Sequence, residues 1–135
     1  MAESLLLIKK LERFFEGQPE IKIAILYGSY AKGNPHAKSD VDIGVASRKT
    51  LSTEEKLNLI GELEQVIGKN IDLVDILGPS RFVVWQMLRY GVVVKKSDEK
   101  LWQRIYLRTV HWLMDVYPII QKVQDLRKKA FLEKE

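Results

Sequence analysis

Gly28-Ser29 and, ten residues further on, Asp40-Val41-Asp42 are the residue types in this chain best suited to handling phosphate and a divalent cation. Side chains alternate between faces of an extended segment, so Asp40 and Asp42 point the same way, roughly 6–7 Å apart along the chain. Two carboxylates so placed repel each other unless a cation lies between them. Mg²⁺ takes oxygen ligands of this kind and keeps waters and substrate phosphates as its other ligands. Two such ions about 3.5–4 Å apart can clamp the attacking and leaving oxygens of an in-line displacement at phosphorus. Gly28 removes a side chain where backbone must approach a ligand. Ser29 supplies a hydroxyl and a backbone N–H at the start of a helical turn, where exposed N–H groups form an anion site. Lys32 and Lys38 can add charge near the phosphates.

A third acid from a neighbouring strand would complete such a site. Ile71-Asp72-Leu73-Val74-Asp75-Ile76 offers Asp72 and Asp75, which alternation puts on opposite faces, so only one can join Asp40 and Asp42. Asp72 is favoured: Val74 and Ile76 share its face, and Asp75 is then expected at the exposed side of the strand. Each of these features is common alone. Their order is specific: strand, Gly-Ser, spacer, Asp-x-Asp, strand, acidic strand. Other phosphate motifs do not fit. Gly28 and Gly33 have the spacing of a P-loop, but Asn34-Pro35 stand where Lys-Ser/Thr is needed, and no G-x-G-x-x-G occurs. His36 and His111 are isolated, without zinc-site spacing, although His36 lies in the loop before Asp40 and could touch substrate.

The elements that must position these groups follow from periodicity. Leu5, Leu6, Ile8, Leu11, Phe14 and Phe15 mark a helix that Gly17-Gln18-Pro19 ends. Ile21–Tyr27 and Val41–Ala46 are β-branched-rich strands on either side of the Gly-Ser turn. Ser52 and Glu55 form a capping box for a helix with Leu57, Ile60, Leu63 and Ile67 on its apolar face and Gly68 as its stop. Ile71–Ile76 is the third strand. Pro79-Ser80 opens a helix with Phe82, Trp85 and Leu88 inward, and Val92–Val94 is a short fourth strand with a solvated Lys95-Lys96 end. The order predicts an α/β (α+β) domain, a small mixed sheet flanked by helices, over residues 1–97. Residues 98–135 are a C-terminal helical extension with apolar Leu101, Ile105, Leu113, Ile120 and Val123, kinked at Pro118. Its first part, to Met114, is expected to pack on the domain. Its last third, beyond the kink and carrying the basic Arg127-Lys128-Lys129, suits a partner.

The chain has 135 residues, 46% of them hydrophobic, which fits one packed domain. Cysteine is absent, which excludes disulfides and thiolate metal sites and makes a reducing cytoplasm the simplest location. Leu5 to Ile8 is too short for a signal core or a membrane span. The net charge of +4 permits contact with nucleic acid without requiring it.

The run from Ile25 to Gly33, with Ser39-Asp40-Val41-Asp42-Ile43, resembles the signature of the DNA polymerase beta-like nucleotidyltransferases, and within them the minimal nucleotidyltransferase (MNT) branch. The resemblance implies the polymerase beta-like fold, Mg²⁺ (two ions) and ATP or another nucleotide. It implies that Asp40 and Asp42 are metal ligands, and that Asp72 is a third ligand or the base for the acceptor hydroxyl. Gly28, Ser29 and Lys32 would bind the nucleotide. The family often has Arg where this chain has Lys32, which keeps the charge but loses bidentate geometry. Many stand-alone MNT proteins are antitoxins that adenylylate a tyrosine of a HEPN-domain ribonuclease toxin within a hetero-oligomer. The resemblance therefore implies a protein adenylyltransferase antitoxin. Two other readings stay open: an antitoxin that masks its partner by binding, and a nucleotidyltransferase acting on a small molecule or an RNA end.

Overall fold

Alternation of apolar residues along the strands decides the architecture, because each strand feeds two cores at once. In the computed structural model, which describes residues 2–35 and 40–133, the elements run α1 (Ala2–Glu16), β1 (Ile23–Tyr27), α2 (Ser29–Lys32), β2 (Val41–Ala46), α3 (Thr53–Ile67), β3 (Ile71–Asp75), α4 (Arg81–Tyr90), β4 (Val92–Lys96) and α5 (Glu99–Glu133). The sheet order is β3-β2-β1-β4. The β1–β2 and β1–β4 pairs are antiparallel and β2–β3 is parallel, joined through α3, so the sheet is mixed as expected.

One face of the sheet carries Ala24, Leu26, Val41, Ile43, Val45, Ile71 and Leu73 against Leu7, Leu11 and Phe15 of α1 and Leu59 and Leu63 of α3. The other carries Ile23, Ile25 and Ala46 against Val84 and Met87 of α4 and Leu101 and Ile105 of α5. The result is helices on both sides of a central sheet, each side burying apolar area that drives folding. Capping agrees with the sequence reading: Ser52 accepts from the Glu55 N–H at 3.1 Å, Glu55 returns the bond, and Gly68 closes α3 in the left-handed region.

Several details differ from the reading by periodicity. In α1 the buried stripe is Leu7, Leu11 and Phe15, while Leu5 and Leu6 are exposed. In α3 Leu59 is buried and Leu57 exposed. In α4 the inward residues are Val84 and Met87, and Phe82 lies outside. These helices offer more apolar residues than one face can take, so periodicity alone leaves the rotation about the axis open. The Lys95-Lys96 end of β4 is only half solvated. Lys95 is part-buried, and its Nζ donates to the carbonyls of Phe15 at 2.9 Å and Gln18 at 2.7 Å, closing off the C-terminus of α1. Helix α5 runs on through Pro118 without interruption. Its first half is fixed to the domain by Leu101, Ile105 and Thr109, and by Arg108, which donates to the carbonyls of Leu77 at 3.2 Å and Gly78 at 2.9 Å.

Candidate active site

The site grows out of strand register. Tyr27 is the cross-strand partner of Asp42, and Asp42 is the partner of Asp72, so the three stand in one row across β1, β2 and β3. Alternation puts this row on the α4/α5 face, where Tyr27 and Val74 border the second core. The row is the last one before β1 gives way to the Gly28 turn. Asp42 is half-buried and Asp72 exposed, so the carboxylates form a rim open to solvent.

Charge accumulates at this rim. The Asp42 carboxyl is pushed up to about 6, first by burial and then by Asp72, through its charge and a hydrogen bond, and last by the charge of Asp40. Tyr27 is raised well above the ordinary phenol range, by burial and then by the fields of Asp72 and Asp42. Its hydroxyl therefore stays protonated beside the acids, able to donate a hydrogen bond.

Gly28 fits against Asp42 without room to spare. Its φ of 74° lies in the left-handed region, and a β-carbon there would overlap Oδ2 of Asp42. Ser29 then opens the single turn α2, which closes at Gly33 with a φ of 77°. The first N–H groups of such a turn have no partner within it. Buried Tyr30 anchors the turn in the core, and Lys32 is exposed at its end.

The sequence-derived residues therefore separate into groups. The structure brings Gly28, Asp42 and Asp72 together. Asp40 is exposed just before β2 and contributes charge, but among the described residues no three acidic or histidine side chains close into a metal cage. His36, Lys38 and Ser39 lie outside the described residues. Asp75 corrects the expectation of an exposed position: it is 9% exposed, and its carboxylate accepts from the N–H groups of Leu51 at 2.8 Å and Leu77 at 3.0 Å. It is a structural acid that ties the segments entering α3 and leaving β3. Tyr27 gave no functional signal in the sequence. Tyr27 reads as a strand terminus, and only register brings it beside Asp42.

Residues 9–100 match the family Polymerase beta, Nucleotidyltransferase. The chain belongs to this nucleotidyltransferase family. Within it, the chain is 32% identical over 73 residues to the protein adenylyltransferase MntA of Shewanella oneidensis, covering 54% of this chain and 52% of that one. It thus spans about half the length of that curated relative. The fold is similar to that in a crystal structure of a toxin-antitoxin with AMP-PNP, with a TM-score of 0.70, 24% identity, and coverage of 87% of this chain and 98% of that one. A tri-AMPylated Shewanella oneidensis HEPN toxin in complex with MNT antitoxin gives a TM-score of 0.66 at 21% identity, over 90% of this chain and 98% of that one. The nucleotidyltransferase match ends just inside α5. Among the described residues no helix is long and apolar enough to cross a membrane.

Proposed function

We propose that the chain is a Mg²⁺-dependent protein adenylyltransferase that moves AMP from ATP to a tyrosine of a HEPN ribonuclease toxin, acting in the cytoplasm as its antitoxin. The observation that carries this reading is the Asp42–Asp72 pair, with Gly28 pressed against Asp42. It offers hard oxygen donors whose mutual repulsion a divalent cation relieves, at a glycine that admits phosphate oxygens to the backbone. The donor set suits Mg²⁺ for the same reason.

In this reading Asp40, Asp42 and Asp72 hold the metal, which when bound supplies charge neutralisation and polarisation of the phosphates. Ser29 donates its backbone N–H and hydroxyl to triphosphate oxygens, and Lys32 adds positive charge. Asp72, the exposed member of the pair, takes the proton of the acceptor hydroxyl. The hydroxyl oxygen bonds to the α-phosphorus, the bond to the bridging oxygen breaks, and pyrophosphate leaves with that electron pair. Residues 1–97 form the catalytic domain, and residues 98–135 the helical extension that packs on it through Leu101 and Ile105 and meets the partner beyond. The names of the relatives support the protein-directed reading over a small-molecule acceptor.

The test is to co-express the chain with a HEPN protein and measure the partner's mass. Addition of AMP to a tyrosine, lost with Asp42→Asn and Asp72→Asn together, is the expected result. An unmodified partner that is nonetheless silenced by either form of the chain supports the masking alternative.

A further inference from the structure

We infer that the C-terminal half of α5 is a docking surface for an amphipathic helix with acidic flanks, contributed by a different protein. This surface does not depend on which group the chain transfers. One stripe runs the length of α5. Trp102, Ile105, Thr109, Trp112, Val116, Ile119, Val123, Leu126 and Ala130 follow one another at alternating spacings of three and four residues. This is the repeat by which one helix presents a continuous seam to another.

The two halves of the seam meet different fates. Ile105 and Thr109 are buried on the chain's own domain. Beyond Val116 the same seam runs on past Pro118 into solvent, with Ile119 61% and Leu126 58% exposed. The helix is about 50 Å long at 1.5 Å per residue, so its distal turns extend beyond what the domain covers. A seam that already serves as a packing surface and continues in register is a surface with its geometry in place.

Charge selects the occupant. The positions flanking the seam between Ile119 and Ala130 are Ile120, Lys122, Arg127 and Lys129. Flanking charges decide pairing between seamed helices. A second copy of this chain would set these cations against one another in either orientation, parallel or antiparallel, which disfavours self-association. A helix with Glu or Asp at its flanks meets them with opposite charge on both sides.

The probe is a synthetic peptide with Leu at the seam positions and Glu at the flanks, labelled and titrated with the full chain by fluorescence anisotropy. A second peptide has Lys at the flanks, and a third is acidic without seam leucines. The Glu peptide is expected to bind roughly tenfold or more tightly than either, the sum of several flanking pairs and a buried seam. Val123→Asp with Leu126→Asp should abolish that binding while helix content and Mg²⁺-ATP binding persist. Lys122→Glu, Arg127→Glu and Lys129→Glu together should reverse the preference toward the Lys peptide. Equal binding of all three peptides, or none, overturns the inference. So does a concentration-dependent dimer in sedimentation that Val123→Asp dissolves, or RNA duplex competing at the same residues.

Discussion

The α-carbon of Gly28 lies so close to the carboxylate of Asp42 that a β-carbon at Gly28 would overlap Oδ2. The Gly28 turn and the Asp42 carboxylate are thus one packing unit. Gly28→Ala is expected to strain a left-handed backbone and displace the acid. It should cost about 1–3 kcal/mol of stability and lower AMP transfer about a hundredfold, the effect of a displacement near 1 Å at a reacting centre. Urea unfolding and initial-rate assays measure the two effects separately.

Asp42 carries a pH dependence with a definite sign. Its folded value of about 6 lies above the ordinary 3.8, so the folded chain holds this proton more tightly than the unfolded one. The stabilisation is fully present below the unfolded value and is lost as pH rises through the folded value. Metal-free protein should therefore melt at a falling temperature between about pH 4 and pH 7. Asp42→Asn should flatten that slope and raise Tm at neutral pH while reducing transfer by at least about a hundredfold. Thermal melts by circular dichroism across this range, with and without Mg²⁺, check both halves, and Mg²⁺ should raise the neutral-pH Tm of the wild type alone.

Asp75 should behave in the opposite way. Asp75→Ala leaves the N–H groups of Leu51 and Leu77 without their acceptor at a buried position. A loss of about 2–4 kcal/mol is expected in denaturant unfolding, with the transfer rate of the folded fraction within about twofold of wild type, because the side chain lies on the other face of β3.

Gly44 tests how α4 seats on the sheet. A β-carbon there would run into the sulfur of buried Met87. Gly44→Ala should cost about 1–3 kcal/mol by overpacking, and in combination with Met87→Ala the pair should cost less than the sum of the single changes. A double-mutant cycle by urea unfolding reads the coupling directly.

The strands were legible in the sequence because β-branched runs bounded by Gly, Pro and Asp have few other readings; β2 over Val41–Ala46 and the capping box at Ser52 needed no revision. The pairing of Asp42 with Asp72 was foreseeable only in part. Alternation puts one of two acids on the right face but cannot say which, and the choice of Asp72 went with the wrong environment for Asp75. Nothing local marks an aspartate as buried when its acceptors are filled by backbone N–H groups from distant segments, as with Leu51. The same limit hid the seat of Lys95, whose carbonyl partners Phe15 and Gln18 come some eighty residues earlier. Helix rotation failed where apolar residues outnumbered the positions on one face, as at Phe82 and Leu57.

Calorimetric titration of the chain with a non-hydrolysable ATP analogue, with and without Mg²⁺, tests most directly whether the Asp42–Asp72 rim is a metal–nucleotide site. The wild type should bind the analogue with Mg²⁺ and lose most of that affinity without it, and Asp42→Asn with Asp72→Asn should not respond to the metal. Equal affinity in the presence and absence of Mg²⁺, unchanged by those substitutions, would contradict the account.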